Sequence, residues 1–430
     1  MVEPTVIPRS EHPMSRRDID PDALKVLYRL KEAGFIAYLV GGSVRDLLLG
    51  RRPKDFDIGT SAHPYQVKRL FRNCFVIGRR FRLVHVKFGQ KVIEVATFRR
   101  HVPPAEAIED PPPPDESTPT VRVPDTLREQ AARDLLIRRD NTFGTPEEDA
   151  FRRDFTVNAL FYDIATFSII DYVGGLRDLH ERVIRAIGDP DERFCEDPVR
   201  MLRAVAFAER LGFALDPPVE QAIRRNHREI ARSSPARVIE EYYKILRTGA
   251  SAAVFRTAAR LDLLEAITPE MQRAADTDEL WRSLERLDAY RQPFSSAPDA
   301  FTNPVLLGSL LVPLGFSVDG GHLAGETGAP WLGTLPVARR DIERLYQLLG
   351  LQRRLRDPNI SPRSARALVA RSVFPDALAW LEIHGGAADE VARWRALVTE
   401  LTESGALQPP APRLPARRRR RRRPRRPVQP

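Results

Sequence analysis

The stretch from residue 35 to residue 60 constrains the fold more than any other part of the chain. A short apolar run, FIAYLV, ends in Gly41-Gly42, a helical segment follows, and a second short segment, FDIGT, comes after it. Apolar runs of this length that end at glycines are typical of strands leading into turns. Just upstream, Asp20-Pro21 has the pattern of a helix start. This alternation of helices and strands predicts a unit of mixed α and β structure in the first part of the chain.

Further strands are predicted at 75–77, 83–88 and 92–98, after a helix capped by Ser61. From about residue 195 onward the apolar residues recur at helical spacing. The sequence therefore predicts an α+β fold, in which a small mixed-sheet head is followed by an all-helical arm of neck, body and tail.

The predicted domains follow changes in composition along the chain. They are an N-terminal leader at 1–22, a head at 23–180, a helical neck at 181–275, a C-terminal helical body at 276–406 and a disordered, Arg-rich tail at 407–430. Within the head, residues 101–128 combine many prolines and acids with no periodicity, which predicts a mobile loop.

The excess of positive charge lies at one end of the chain. The 68 basic and 58 acidic residues give a net charge of +10, and residues 411–430 contain ten arginines and no acid. The first 410 residues are therefore formally neutral. A dense arginine run repels itself and favours phosphate backbones, although such an end can also serve only to keep a chain in solution. We expect this tail to bind a polyanion.

Two absences in the sequence narrow the class of protein. No stretch reaches the ~18 apolar residues that a membrane helix needs, and the N-terminus lacks the apolar core of a signal peptide. The two cysteines, Cys74 and Cys195, stand in separate contexts, which disfavours a zinc site or a disulfide framework. These features predict a cytoplasmic protein with no membrane partner.

Asp55-Phe56-Asp57 is the first candidate for chemistry. On a strand, residues i and i+2 point to the same face at a spacing of roughly 6.5–7 Å. Two carboxylates so placed can converge on a divalent metal that organises phosphoryl transfer. Alone, such a short pattern is weak, because it also occurs in solvated loops. The alternation of the acids with Phe56 and Ile58, and the upstream Gly-Gly turn that could hold a triphosphate, strengthen the metal hypothesis.

Glu94 is a third candidate acid. In KVIEVATF, Val92, Glu94 and Ala96 share one strand face and Ile93 lies on the other. An acid on an otherwise apolar hairpin strand faces either solvent or a metal. Two metal ions held ~3.5–4 Å apart by carboxylates would activate an attacking hydroxyl and neutralise a leaving pyrophosphate. The alternative is a charge that protects an edge strand.

Three motifs together resemble one family. LVGGSVRDLLLGRRPKDFDIGT, RRDFTVNAL and EDPVRMLRAV occur in this order over residues 39–203 and are similar to motifs of the class II nucleotidyltransferases. That family contains bacterial poly(A) polymerases and CCA-adding tRNA nucleotidyltransferases. The resemblance implies an enzyme that adds nucleotides to RNA 3′ ends without a template. It further implies two Mg²⁺ ions, with Mn²⁺ as a substitute.

The resemblance also assigns roles to individual residues. The expected metal ligands are Asp55, Asp57 and Glu94, and the expected catalytic acids are Asp55, Asp57 and Asp154. The residues expected to bind the nucleotide are Gly42, Ser43, Arg45, Asp46, Arg152, Arg153, Asn158, Asp197, Arg200 and Arg203. Those expected to bind RNA are Arg79, Arg80, Arg417, Arg418, Arg419, Arg420, Arg421, Arg422 and Arg423.

In EDPVRMLRAV, Asp197, Arg200 and Arg203 are spaced at i, i+3 and i+6, which predicts one face of one helix that could read a base edge and phosphates. The alternative is an exposed helix face with ion pairs. The chain departs from the family pattern where an arginine usually precedes Phe207, because this position is Ala206. We expect activity to persist without that contact.

The three motifs do not separate poly(A) polymerases from CCA-adding enzymes. The segment IGRRFRLVHVKFG at 77–89, the N-terminal segment at 7–30 and the arginine-rich end resemble the poly(A) branch. We therefore expect a polynucleotide adenylyltransferase that transfers AMP from ATP to RNA 3′ ends and releases pyrophosphate, in the bacterial cytoplasm, with RNA-decay machinery as a candidate partner. The alternatives are a CCA-adding enzyme and a non-catalytic RNA-binding protein. His85 is interpreted as a hydrogen-bonded strand residue, since metal-activated hydroxyls need no imidazole.

Overall fold

The computed structural model describes residues 3–78, 82–100, 142–317 and 332–405. The chain divides into two compact units, residues 1–339 and 340–430. The predicted loop at 101–128 lies outside the described residues, as do Arg79, Arg80 and the arginines of the tail. Both predicted boundaries of the neck fall inside the first unit, so they remain predictions.

Ten strands are present in the described part of the chain. They are β1 Thr5–Ile7, β2 Ala37–Val40, β3 Asp57–Thr60, β4 Cys74–Ile77, β5 Leu83–Phe88, β6 Lys91–Thr97, β7 Leu160–Asp163, β8 Ser168–Asp171, β9 Val183–Ile184 and β10 Ala214–Leu215. The first eight form one sheet in the order β1-β8-β7-β2-β3-β6-β5-β4, and β9 pairs with β10. The pair β3–β6 is parallel and the other pairs of the large sheet are antiparallel. The predicted mixed sheet is confirmed.

The α-helices of the first unit surround and follow this sheet. They are α1 Pro21–Glu32, α2 Gly42–Leu48, α3 Pro64–Leu70, α4 Pro146–Phe151, α5 Gly175–Glu181, α6 Pro190–Glu196, α7 Val199–Leu211, α8 Pro217–Asn226, α9 Pro235–Leu246, α10 Ser251–Arg260, α11 Pro269–Arg273, α12 Asp278–Arg291 and α13 Asn303–Leu311. From α6 onward this unit is almost entirely helical, as the sequence predicts.

The remaining helices are α14 Arg339–Gly350, α15 Gln352–Leu355, α16 Pro362–Val369, α17 Phe374–His384 and α18 Ala388–Glu403. Residues of the second unit pack around Trp394, which is 1% exposed. Its indole N–H donates to the carbonyl of Leu355 at 2.8 Å, and its ring packs edge-on against Phe374. Buried aromatic rings of this size contribute much of the apolar area in a small helical core.

Local chemistry explains where the first helices begin. The Asp20 carboxylate accepts hydrogen bonds from the amides of Asp22 and Ala23, so it caps α1 as predicted. The predicted cap of α3 is wrong. The N-cap is His63, and the hydroxyl of Ser61 instead accepts from the amide of Ile36 at 2.9 Å, which joins the residue after β3 to the residue before β2.

The two faces of the large sheet differ. The face that carries Leu39, Ile58 and Val95 is buried, and helices α1 and α3 contact the strands that form it. On the opposite face, Val40 and Phe161 belong to a core cluster under α4, whereas the acids of β3 and β6 are exposed. The candidate chemistry therefore lies on the second face.

The N-terminal leader contributes to the head. Strand β1 pairs antiparallel with β8, with Val6 opposite Ile170, so residues 5–7 complete one edge of the head sheet. This pairing places part of the predicted leader inside the head. Among the described residues, no helix is long and apolar enough to cross a membrane.

Candidate active site

Strand pairing brings two of the predicted acids side by side. Strands β3 and β6 are parallel with Ile58 opposite Val95, so Asp57 and Glu94 occupy the preceding position of the same register. Neighbouring strands lie about 4.8 Å apart, and residues in register point to the same face. Sequence positions 37 residues apart thus become neighbours, and the alternation of buried and exposed residues in β6 leaves Glu94 on the exposed face.

The acids create a concentration of negative charge. Burial by the surrounding protein, together with the carboxylates of Glu94 and Asp55, raises the pKa of Asp57 to about 6, although its side chain still reaches solvent. Asp55 is open to solvent and lies 3.6 Å from the ammonium group of Lys54. Glu94 pairs with His85, with 3.2 Å between Oε1 and Nε2.

Within the described ranges, no three acidic, histidine or cysteine side chains are already arranged to hold a metal. The donor set nonetheless fits a hard divalent cation, because all three predicted ligands offer carboxylate oxygens. A cation would also relieve the repulsion that raises the pKa of Asp57. The metal site therefore stays a prediction that the chemistry of the residues supports.

The raised pKa of Asp57 predicts a pH-dependent stability in a metal chelator. Because the folded-state pKa lies above the ordinary value of 3.8, ionising Asp57 costs stability. This cost is absent below about pH 4 and complete above about pH 6. Asp57→Asn should therefore stabilise the protein at neutral pH by on the order of 1 kcal/mol, allowing for solvent screening, and have no effect near pH 4. Urea unfolding at the two pH values measures this, and equal effects at both would contradict it.

Gly41 forms a tight turn between β2 and α2. Its φ of +70° lies in the region that favours glycine, and a Cβ there would meet Nη1 of Arg153 at 2.9 Å. Arg153 donates to the carbonyl of Asn158 at 3.0 Å and pairs with Asp149 at 2.9 Å. The positive φ therefore favours glycine at position 41, and the guanidinium lies close to the turn that this glycine forms.

Arg45, on the first turn of α2, forms hydrogen bonds that hold the same turn in place. Its guanidinium is 2% exposed, donates twice to Asp46 at 2.7 and 2.8 Å, and also donates to Oδ1 of Asn158. Ser43 donates to the carbonyl of Val40 at 3.0 Å. These bonds support the predicted role of Arg45 in ordering the turn. Its contact with a triphosphate stays a prediction.

An ion pair connects the RRDFTVNAL segment with α7. Arg203 donates from Nε and Nη2 to Oδ2 of Asp154 at 2.9 and 2.5 Å. The other oxygen, Oδ1, accepts from the amides of Phe155 and Asn158. Burial would raise the pKa of Asp154, but Arg203 and these hydrogen bonds outweigh burial and hold the pKa below its usual value. The geometry supports a positioning role for Asp154, whereas its catalytic role stays a prediction.

The prediction that Asp197, Arg200 and Arg203 share one helix is wrong for Asp197. Asp197 is the C-cap of α6, with φ −142° and ψ 89°, and α7 begins only at Val199. Proline at position 198 disfavours helical backbone in the residue before it, which explains the break.

Asp197 and Arg200 form ion pairs with different partners. Arg200 pairs with Glu196 at 2.7 Å, and Asp197 accepts from Arg237 of α9 through Oδ2 at 2.8 Å. The second oxygen of Asp197, Oδ1, is buried and has no partner in the described chain. Arg200 donates only from Nη1 in the hydrogen bonds that the structure describes.

Residues 37–185 match the family described as the poly A polymerase head domain. This stretch of the chain is therefore similar to a poly A polymerase head domain. Residues 212–274, which include α8, α9 and α10, match the family described as the probable RNA and SrmB-binding site of polymerase A.

Two kinds of enzyme are among the proteins that this chain is similar to. Poly(A) polymerase I of Salmonella typhi is 48% identical over 269 residues, which are 63% of this chain and 54% of that protein. The CCA-adding enzyme of Lactobacillus helveticus is 40% identical over 229 residues, 53% of this chain and 50% of that protein. The chain spans about half the length of the curated relatives it matches.

The same fold occurs in a solved structure. The Bacillus stearothermophilus CCA-adding enzyme in complex with CTP is 27% identical, with a TM-score of 0.59, over 90% of this chain and 83% of that one. The predicted fold, a mixed-sheet nucleotidyltransferase head followed by helices, is confirmed.

Sequence reasoning missed Arg210, which lies beside the poly A polymerase head domain. The ring of Phe207 has the guanidinium carbons of Arg45, Arg203 and Arg210 within 5.7 Å of its centre. Arg210 has no hydrogen bond or ion pair from its side chain in the part of the chain that the structure describes. Burial and the charge of Arg45 lower the pKa of Arg210 to about 10.

A partly buried, unpaired guanidinium is suited to a phosphate. The signal in the sequence was the seven-residue spacing of Arg203 and Arg210, which returns to the same helix face. Ala206, which stands where the family usually has arginine, lies on the same helix between them.

Proposed function

We propose that this protein is a polynucleotide adenylyltransferase that transfers AMP from ATP to the 3′ ends of RNA and releases pyrophosphate. The observation that carries the proposal is the 48% identity over 269 residues with a poly(A) polymerase I. The neighbouring acids Asp57 and Glu94 support it, since phosphoryl transfer needs a concentrated negative site for cations. We also propose that it acts in the bacterial cytoplasm with RNA-decay machinery as a partner.

The acids would act through a divalent cation. Asp55, Asp57 and Glu94 would hold Mg²⁺, or Mn²⁺ in its place, and the cation would neutralise the triphosphate and favour ionisation of the attacking hydroxyl. Around it, Gly42 and Ser43 of the first turn of α2 would present backbone amides to phosphate. Arg152 and Arg210 supply positive charge on the flanking segments.

Asp197 and Arg200 would read the base. The unpartnered Oδ1 of Asp197 can accept from an exocyclic amine, and the free donors of Arg200 can donate to a ring nitrogen. Adenine and cytosine both present an amine beside an unprotonated ring nitrogen, whereas guanine and uracil present a carbonyl beside a protonated one. The arrangement therefore favours ATP and CTP over GTP and UTP, and a base would satisfy a buried oxygen that is costly to leave unpaired.

This reading predicts a change of nucleotide preference in Arg200→Ala. Loss of the donor should lower kcat/KM for ATP by about 10- to 100-fold, typical of one or two hydrogen bonds to a charged group, and reduce the preference for ATP over UTP. RNA affinity should change little. Arg282→Ala, which removes an arginine of α12 that pairs with an acid four residues away as Arg200 does, is the control. If kcat/KM falls equally for all four nucleotides, Arg200 binds phosphate and does not read the base.

A product ladder tests the proposed activity. A generic RNA primer and a tRNA that lacks its terminal CCA are each incubated with Mg²⁺ and one nucleoside triphosphate at a time, and in a further reaction with ATP and CTP together. A polynucleotide adenylyltransferase gives a long ladder with ATP on the generic primer. Addition of two C residues and one A, restricted to the tRNA, would overturn the proposal and establish CCA addition. No addition on either RNA would indicate a non-catalytic RNA-binding protein.

CCA addition is the second candidate because a specific observation favours it. The head resembles that of a CCA-adding enzyme at 40% identity, and the Asp197–Arg200 arrangement accepts cytosine as well as adenine. Against it stands the higher identity to poly(A) polymerase I over a longer stretch.

A further inference from the structure

A single row of side chains crosses the head sheet on its active face. Strand pairing places Val40 opposite Asp57, Glu94 opposite His85, and His85 opposite Phe75. Because β3 and β6 are parallel with Ile58 opposite Val95, Asp57 neighbours Glu94 and closes the row. Residues in register share a face, so Phe75 points to the same side of the sheet as the predicted metal ligands.

The two ends of the row differ in burial. At one end, Val40 is 4% exposed and lies in the core cluster with Phe161. At the other end, on the edge strand β4, Phe75 is 52% exposed. Ile77, two residues along β4, is 47% exposed, and Val92 of β6 is 37% exposed on the same face. An exposed cluster of apolar side chains is a feature of binding surfaces.

The charge at this patch favours a polyanion. The ammonium group of Lys87 lies 5.3 Å from the centre of the Phe75 ring. Lys87 forms no ion pair within the described portion of the chain, and the residues of β4 carry no charge. An aromatic ring beside an unpaired cation is the arrangement on which proteins stack the bases of single-stranded nucleic acids.

We propose that Phe75 and Lys87 form a platform on which a base of the RNA strand stacks while its 3′ end lies at the acids. The inference deepens the proposed function and rests on it. Phe75 lies three strand spacings from Asp57, about 14 Å, and stacked nucleotides repeat every ~3.4 Å. The platform therefore holds a nucleotide about four positions from the 3′ end. A trinucleotide is too short to reach it, whereas a decanucleotide is long enough.

Primer length provides the test. The affinities of oligoadenylates of three and ten nucleotides, the longer one carrying 2-aminopurine at each of positions two to six from its 3′ end in turn, are measured without ATP. In the wild type, we expect fluorescence quenching by stacking to be strongest near position four. Phe75→Ala should weaken binding of the decanucleotide by about 5- to 100-fold and leave the trinucleotide unchanged. Phe75→Trp should restore both affinity and quenching.

Phe294→Ala is the matched control, because this phenylalanine of the same unit is 40% exposed and lies outside the row. Thermal unfolding of each variant verifies its fold. Unchanged decanucleotide affinity in Phe75→Ala, or an equal loss for both lengths, would overturn the platform. Because these measurements need no catalysis, they also separate this inference from the proposed function. A wild type that binds the decanucleotide through Phe75 but adds no nucleotide would overturn the activity alone.

Discussion

Asp57→Asn should abolish nucleotide addition while leaving the fold intact. The substitution replaces a carboxylate of the predicted cation site by a neutral amide. A bound cation stabilises a phosphoryl-transfer transition state by several kcal/mol. The rate of AMP addition at saturating ATP and RNA should therefore fall by on the order of 10³-fold or more. The same substitution should raise the free energy of unfolding at neutral pH. Burial and the neighbouring carboxylates raise the pKa of Asp57 to about 6, so its ionised form destabilises the folded state. Loss of activity with gain of stability separates a functional acid from a structural one.

The measurement is single-turnover AMP addition to a radiolabelled primer, combined with urea unfolding of the same preparations. Asp278→Asn is the control, since this exposed acid of α12 only pairs with Arg282 on the surface. Glu94→Gln should lower the rate less than Asp57→Asn does. Because β6 lies between β3 and β5, Glu94 is not on an edge strand, and wild-type turnover in Glu94→Gln would make it only a surface charge paired with His85. Near-normal turnover in Asp57→Asn would refute the metal-site assignment.

Asp57 and Glu94 were predictable because their signals are local, whereas Asp55 lies before the start of β3 and so is not on the strand face that the sequence predicted for it. The period of two in β3 and β6 sets which residues face out, and the burial of Ile93 and Val95 follows that alternation. The helix starts were also largely local, as Asp20 shows. The break between α6 and α7 was signalled by Pro198, and it separates Asp197 from the helix of Arg200.

The order of the strands and the long-range pairs were not predictable in this way. Strand β2 lies between β7 and β3, and no local sequence pattern predicts that β7, which is distant in sequence, pairs with β2. Asp154 meets Arg203 across 49 residues, and a partner for Asp197 comes from Arg237, 40 residues later. Such pairs depend on how whole helices pack onto the sheet, and many arginines could have met each acid.

Breaking the Asp154–Arg203 pair should destabilise the first unit more than any other single substitution considered for the site. Asp154 is 11% exposed, and its removal leaves a guanidinium and two further donors without their acceptor. When one partner of such a pair is removed, the remaining charge still has its desolvation cost but no longer has the ion pair that offset it. Asp154→Ala should lower the free energy of unfolding by about 3 kcal/mol. It should also slow AMP addition, because α7 carries both Arg203 and Arg200.

A double-mutant cycle isolates the pair from the general effect of each substitution. If Asp154 and Arg203 act through each other, Asp154→Ala/Arg203→Ala should be less destabilised than the sum of the single variants, by about 1–3 kcal/mol. The pH dependence provides a second readout. Because the pKa of Asp154 is held below 3.8, its stabilising contribution is present above that value and is lost as the pH falls through the folded-state pKa. The free energy of unfolding of the wild type should therefore exceed that of Asp154→Asn at neutral pH, and this difference should disappear at acidic pH. Additive single effects, together with a pH-independent difference from Asp154→Asn, would show that the pair does not hold the head segment against α7.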